Sequence, residues 1–274
     1  MTADRAVKPD AVASLGKIPP AWERLREDAS KVAREEPVLA SYLHSAILQH
    51  DRLRDALSYH LAQLMSDQSV NALQVREIFE DVYDGAPELE GIAALDMQAV
   101  LERDPACRSL LQPFLHFKGY QALQAYRVGH GLWTSGRADL ALHFQSKVSR
   151  LFDVDIHPAA KVGHSVMIDH ASGVVIGETA EVGDGCSLLH QVTLGGTGKV
   201  DGDRHPKIGR GVLVSVGAKV LGNIRVGDEA RIAAGSVVLE DVPAGCTVAG
   251  VPARLVGKCK EPARTMDQCF GAED

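Results

Sequence analysis

The sequence predicts an α+β chain in which a helical N-terminal half runs into a parallel β-solenoid of prism-shaped cross-section. Three observations predict it. Between Ile156 and Val242 an aliphatic residue returns at every sixth position: Ile156, Val162, Ile168; Ile176, Val182, Leu188, Leu194; then Ile208, Val214, Val220, Val226, Ile232 and Val238. Four positions after most of these anchors stands a second small or apolar residue, as at Ala160, Val166, Ala180, Cys186, Val212 and Ala230. Upstream of Arg150 the apolar residues instead follow the helical period, and the composition changes abruptly to Gly, Val, Ile and Ala near Asp155. Neither the helical nor the strand period yields a six-residue repeat. It marks a solenoid in which each hexad forms one short strand and its corner, three hexads complete a coil, and stacked coils bury a continuous core.

Residues 1–20 carry no periodic apolar pattern and read as a flexible arm. From Ala21 the character is helical. Leu39, Tyr42, Leu43, Ala46 and Ile47 fit the i, i+3, i+4, i+7, i+8 template of an amphipathic helix, as do Val75, Ile78, Phe79, Val82 and Tyr83. Leu57, Leu61, Leu64 and Met65 mark another, and Pro37 and Pro87 sit where a first helical turn tolerates proline. The stretch from Gly91 to Phe152 is helix-like, punctuated at Asp104-Pro105, Gly119 and Ser135-Gly136. A helical domain over 21–152 and a solenoid domain over 153–258 follow, with a tail over 259–274. The hexad register slips twice. Ile168 to Ile176 spans eight residues instead of six, which predicts a bulge at Ser172-Gly173. Leu194 to Ile208 spans fourteen instead of twelve, and the stretch GGTGKVDGDRHPK there reads as an excursion loop. A solenoid admits insertions only as loops that leave one face. The segment AGCTVAGVPARLVGK then closes the coil stack.

The chain has 274 residues, 45% of them hydrophobic, a net charge of -7 and a pI near 5.9. This acidic balance argues against a nucleic-acid partner, which needs a concentrated basic surface. The first twenty residues are broken by charges and prolines and form neither a secretion signal nor a membrane span; a cytoplasmic location is expected. Five scattered cysteines (Cys107, Cys186, Cys246, Cys259, Cys269) without a C-x-x-C pair suggest reduced thiols rather than a disulfide framework or a zinc knuckle.

Histidines at the slips carry the chemical signal. His170 follows Ile168 by two positions and His190 follows Leu188 by two, three hexads later, so the two stack on the same prism side in adjacent coils. A histidine on a short strand is most often a surface or structural residue, but Asp155 lies just before the first anchor and Asp169 adjoins His170. A carboxylate that accepts from one imidazole nitrogen fixes the tautomer and leaves the other free as a general base. His205 lies in the excursion loop. GGTGK (Gly195 to Lys199) is not a P-loop, because Thr193 stands where its first glycine belongs and Val200 replaces its hydroxyl residue. A zinc site from His164, His170 and His190 is the alternative. His164 and His170 occupy different prism sides, so such a site needs two subunits.

At this point the residues resemble a known family. DIHPAAKVGHSVMIDHASGVVIGETAEVG, then LLHQVTLGGTGKVDGDRHPKIG, AGSVVL and AGVPARLVGK, together with QAVLERDPACRSLL and FLHFKGYQALQAYRVGHGLW upstream, resemble the bacterial serine O-acetyltransferases of the hexapeptide-repeat superfamily. The likeness runs from about residue 20 to about 260. It implies a left-handed parallel β-helix behind a helical domain, assembled as a homotrimer or dimer of trimers, and a reaction that moves acetyl from acetyl-CoA to the hydroxyl of L-serine for cysteine synthesis. Acetyl-CoA is then a co-substrate, with no tightly bound cofactor and no metal. By position, His170 matches the family's general base and Asp155 its orienting partner. Arg204 and His205 match the holders of the serine carboxylate, and Asp104 and Asp169 the carboxylates that face its ammonium group. Acetyl-CoA contacts fall near Gly196, Thr197, Val216 and Ala234, with Arg231 standing where relatives often carry lysine. L-cysteine, which shares serine's amino and carboxylate groups, is implied as a feedback inhibitor. One departure is the end of the chain. Relatives commonly finish in isoleucine, which enters cysteine synthase, whereas this chain finishes Phe270-Gly271-Ala272-Glu273-Asp274, so the anchor for a cysteine synthase complex is missing. Other readings of the same residues are an acetyltransferase for a different hydroxylated acceptor, a zinc hydratase on the solenoid, and a non-catalytic scaffold.

Overall fold

The computed structural model describes residues 21–198 and 201–256. The arm (1–20), the tail (259–274), Lys199 and Val200 in the excursion loop and the last two residues of the solenoid domain (257–258) lie outside them. Eight α-helices are present among the described residues: α1 (Ala21–Glu35), α2 (Ala40–Leu43), α3 (Leu53–Met65), α4 (Ala72–Gly85), α5 (Glu88–Arg103), α6 (Leu111–Leu115), α7 (Lys118–Thr134) and α8 (Ala138–Phe152). Their apolar stripes make the core that the periodicity anticipates, with Val75, Phe79 and Tyr83 of α4 and Leu57, Leu61 and Met65 of α3 buried. α4 opens on a reciprocal capping box between Asn71 and Gln74, which satisfies two of the backbone donors left free at a helix start. The stretch expected as one amphipathic helix around Leu39 is instead a 3-10 turn (Pro37–Leu39), the short α2 and a π turn (His44–Leu48). Val38, Leu39 and Tyr42 remain exposed while Leu43, Ala46 and Ile47 are buried. The side chains called for burial thus fall on two rows, and the backbone widens by a π turn to bring the second row inward.

Behind α8 the chain coils into a three-faced prism. Face A stacks β1 (Val154–Ile156), β4 (Val174–Ile176), β7 (Thr193–Gly195), β10 (Lys219–Leu221) and β13 (Val237–Val238). Face B stacks β2 (Lys161–Val162), β5 (Glu181–Val182), β8 (Lys207–Ile208) and β11 (Arg225–Val226). Face C stacks β3 (Met167–Ile168), β6 (Ser187–Leu188), β9 (Leu213–Val214), β12 (Arg231–Ile232), β14 (Thr247–Gly250) and β15 (Ala253–Val256). Pairing within each face is parallel except β14 with β15, which turns back to cap the stack. The anchors Ile156, Ile176, Val182, Leu188, Leu194, Val214, Val220 and Ile232 all point into the buried core.

The register measures both slips. Met167 pairs with Ser187, Ser187 with Leu213, and Leu213 with Arg231, so successive coils take 20, 26 and 18 residues. Three hexads account for eighteen. The first coil therefore carries the expected two extra residues. The second carries eight, because Val182 pairs directly with Ile208. Counting Leu194 to Ile208 as two hexads plus two residues needs correcting to one hexad plus an eight-residue insertion; anchor counting cannot separate a missing anchor from an inserted loop.

The helical half grips the first coil through buried polar contacts. Arg127 of α7 forms a buried ion pair with Asp96 of α5 at 2.8 Å and donates to the carbonyls of Val162 and Gly163, while Asp96 also accepts from the backbone N–H of Val166. Tyr126 donates to the Ala160 carbonyl at 2.5 Å. Gly119, expected as a break, lies inside α7 against the solenoid: a Cβ there would stand 2.0 Å from the Ile168 carbonyl oxygen. Cys107 and Cys186 are free thiols, but Cys246 is disulfide-bonded, contrary to the reading of all five as reduced. A disulfide requires Cα atoms within about 7 Å, which sequence spacing does not display.

Candidate active site

Within a coil the chain passes from face A to B to C and back to A, so each edge of the prism is a column of corners. The edge where face C runs into face A carries His170, His190, Val216 and Ala234, in successive coils. Backbone bonds link the column: Gly217 N–H to the His190 carbonyl and Gly235 N–H to the Val216 carbonyl. The two-residue insertion sits here. His170 and Ala171 hold φ of 55° and 64°, and Gly173 holds 72°. Left-handed backbone is uncommon for residues with a Cβ, and such strain concentrates at functional turns. The turn thrusts the His170 ring outward, its side chain 73% exposed, with Nε2 3.6 Å from Asp169 Oδ2. The His190 ring packs edge-on against it, centroids 5.5 Å apart, and its buried Nδ1 has no hydrogen-bond partner. Burial lifts the Asp169 carboxyl above its ordinary range; the His170 ring opposes this and the negative charge of Asp104 adds to it. Asp104 caps the C-terminus of α5, accepting from Ala106 N–H at 2.8 Å, so the helical half delivers a second carboxylate to this edge. Asp155 on β1 accepts from Gln145 of α8 at 2.6 Å; the carboxylate against the imidazole within one chain is Asp169.

Arg204 and His205 occupy a different edge, where face A runs into face B. Arg204 pairs with Glu178 Oε2 at 2.6 Å, and that cation holds the Glu178 carboxyl below its ordinary range. The Thr179 hydroxyl accepts from the backbone N–H groups of both Arg204 and His205. His205 is buried, with Nδ1 2.9 Å from Thr179 Oγ1 and 3.2 Å from the donating Thr179 N–H. Nδ1 must therefore accept, which leaves the proton of the neutral ring on Nε2. Burial, and then the Arg204 charge, push the His205 pKa down and favour that neutral form. Gly177 is required beside it, since a Cβ there would stand 2.0 Å from His205 Nε2. Gly196 and Thr197 lie on this edge too, against Arg204 and Gly222. Arg204 and His205, expected to hold the serine carboxylate, thus do not stand beside His170 within a single chain: the insertion leaves after face A, one corner away. His164 lies on the third edge, paired with Asp184 at 3.6 Å, so the three histidines of the zinc reading do not converge within one chain. Arg231 is half-buried on face C, in register with Leu213 and Thr247. Sequence reasoning assigned His190 a place only in the zinc alternative and assigned Glu178 no role. The hexad offset of His190 from His170 was the available signal; Glu178 had none, because its partner follows an insertion.

A six-residue solenoid with imidazoles at its corners and a helical module clasping its first coil defines a hexapeptide-repeat acyltransferase. Family models agree: residues 21–125 match the N-terminal region of serine acetyltransferase and residues 205–240 the bacterial transferase hexapeptide. The chain is 52% identical over 251 residues to a serine acetyltransferase of Salmonella typhimurium strain LT2, covering 91% of this chain and 92% of that one. A solved serine acetyltransferase in complex with cysteine superposes with a TM-score of 0.87 at 50% identity, over 89% of this chain and 95% of that one. A Brucella abortus serine acetyltransferase in complex with coenzyme A gives 0.87 at 46% identity, over 90% and 98%. The chain belongs to the serine acetyltransferase family.

Proposed function

We propose that His170 is the general base with which this enzyme transfers acetyl from acetyl-CoA to the hydroxyl of L-serine, giving O-acetyl-L-serine and CoA as the first step of cysteine biosynthesis. The carrying observation is the His170 turn itself: an imidazole displayed on strained backbone, braced by His190 and flanked by the carboxylates of Asp169 and Asp104. His170 takes the serine Oγ proton as that oxygen attacks the thioester carbonyl. The tetrahedral intermediate collapses with cleavage of the C–S bond, and the imidazolium returns its proton to the departing thiolate. No covalent acyl-enzyme forms. Asp155, which accepts from Gln145 on α8, is assigned as the orienting partner of the base by the family resemblance.

Serine is held by its two charges. Asp104 and Asp169 receive the ammonium group. Arg204 takes the carboxylate through charge-assisted hydrogen bonds, with the Nε2–H of neutral His205 beside it. Because these groups lie on two prism edges, the reading requires the first edge of one subunit to face the second edge of its neighbour, as in a homotrimer whose threefold axis runs along the solenoids. Acetyl-CoA occupies the same inter-subunit groove, bordered by Val216 and Ala234 on one side and Gly196 and Thr197 on the other, with Arg231 toward its phosphates. The coenzyme A complex of the relative supports this co-substrate. The cysteine complex of another supports L-cysteine as a ligand; its amino and carboxylate groups, shared with serine, are the ground for assigning it to the serine site as an inhibitor.

His170→Ala should lower turnover by at least about a thousandfold with melting unchanged, the scale of losing a general base together with its alignment. Thiol release with serine and acetyl-CoA measures it, and near-parental turnover would reject the base. Arg204→Ala should raise the KM for serine far more than that for acetyl-CoA, and equal increases would reject the carboxylate clamp.

A further inference from the structure

We propose that Lys118 and Gly119, the first two residues of α7, are positioning residues for acetyl transfer: through them the helical half sets the angle at which the solenoid presents His170. The proposal rests on His170 being the base.

The turn from Asp169 to Gly173 is not held by its own coil alone. Its internal bonds, Ala171 N–H to the Asp169 carbonyl at 2.6 Å and Ser172 N–H to the His170 carbonyl at 2.8 Å, keep it tight without orienting it on the prism. Its far end is tied to neighbouring coils by Gly173 N–H to the Asp153 carbonyl and Gln191 N–H to the Ser172 carbonyl. Its near end is tied likewise, by Asp169 N–H to the Leu188 carbonyl at 2.8 Å. Between these ties, the backbone bonds of the left-handed pair His170 and Ala171 reach only residues 169–174, and non-glycine residues keep such backbone only where the surroundings over-determine it. α7 supplies that outside support. The missing side chain of Gly119 lets the helix backbone close on Ile168 and Ala171. A Cβ there would meet the Ile168 carbonyl oxygen at 2.0 Å, its carbon at 2.9 Å and the Ala171 Cβ at 3.2 Å. These obstacles are backbone or adjoin it, so they cannot swing aside. One residue earlier, Lys118 Nζ donates to Ser172 Oγ at 2.5 Å, spanning the turn.

Helix stability does not explain a lysine there. The N-terminus of a helix is its positive end and disfavours a cation, and Phe117 before it offers no side-chain cap. The charge is placed against the helix and toward the His170 turn. The other ionisable groups around the ring are Asp169 and His190, with Asp104 beyond Asp169. Lys118 touches Ser172 rather than any of them, so it acts through the backbone that carries His170.

The test uses the full chain with L-serine and acetyl-CoA. Lys118→Met should lower kcat about tenfold, the scale of a small misplacement of a catalytic group, with the KM for acetyl-CoA within about twofold and the melting temperature within a few degrees. Lys118→Arg should restore most of kcat. Ser172→Ala should match the loss, and the double variant should be no worse than either single one, because one shared interaction is lost once. Parental kcat in Lys118→Met, no recovery with Arg, or losses that multiply in the double variant would each overturn the proposal. Gly119→Ala should lose kcat beyond any loss of folded protein; should it fail to fold, the Lys118 and Ser172 variants still decide. Activity surviving in His170→Ala would overturn the base assignment itself, whereas a dead His170→Ala beside an unaffected Lys118→Met overturns the positioning alone.

Discussion

Asp169 carries opposing demands. Its carboxyl is lifted above the ordinary range by burial, and the charge of Asp104 raises it further, while the His170 ring pulls it down. A carboxyl with a higher pKa in the folded chain binds extra protons there. Stability therefore falls as pH rises from the ordinary aspartate value through the raised one, and the cost persists above it. Asp169→Asn removes the cost, so the variant should melt higher than the parent at pH 7, with the difference closing as pH drops below about 3.5, where both side chains are neutral. The same change removes a charge for the substrate ammonium and should raise the KM for serine. Thermal melts at the two pH values and initial rates in serine check both halves. A variant less stable at pH 7 would show that the carboxylate is net stabilising where it stands. His205 shows the mirror case: its lowered pKa keeps it neutral, leaving the formal charge of the clamp to Arg204.

Between elements, the buried pair of Asp96 on α5 and Arg127 on α7 fastens the helices to the first coil, since Asp96 also accepts from Val166 and Arg127 donates to two carbonyls at the face B corner. Removing one partner leaves an unpaired buried charge. Asp96→Ala should cost about 3–5 kcal/mol in chemical denaturation. Arg210→Ala, which breaks the exposed pair with Asp228 at 3.4 Å and leaves the backbone N–H bond from position 210 to that carboxylate in place, should cost no more than about 1 kcal/mol; equal costs would deny the clamp its role. Such contacts are also where the sequence stops being readable. The solenoid was legible because each anchor's burial depends only on its own coil and the next, so a local period reports it, and the stacking of His190 on His170 followed from the same arithmetic. Contacts between distant segments have no period. The close approach that makes Gly119 a packing glycine looked like a helix break, the Glu178–Arg204 pair was hidden by the insertion between its partners, and the disulfide at Cys246 left no spacing signal. The hand of the coil came from resemblance alone, since three strands per turn and this pairing order suit either hand.

At the scale of the whole molecule, the proposed assignment spreads the site over two prism edges, a demand that no single chain meets. His170, Asp169 and Asp104 gather at the C-to-A edge, while Arg204 and His205 are fixed to the A-to-B edge by Glu178 and Thr179. Edges of a rigid prism do not approach one another, because the buried core of Ile176, Leu194, Val214 and Val220 lies between them. The proposed homotrimer would solve the problem by apposing unlike edges, a heterologous contact that closes under threefold symmetry. Hybrid oligomers test this directly. A His170→Ala chain retains an intact clamp, and an Arg204→Ala chain retains an intact base, so each parent assembly has only defective sites. When equal amounts are co-assembled, a site is whole wherever an Arg204→Ala chain supplies His170 and its neighbour, a His170→Ala chain, supplies Arg204. Random order in a trimer makes that about one site in four. The mixture should accordingly recover about a quarter of parental activity at low serine, where each parent variant alone is weak. Recovery must depend on co-assembly and be absent when preformed oligomers are merely mixed. Activity no greater than the mean of the two separate variants would place the complete site within one chain and overturn the shared arrangement.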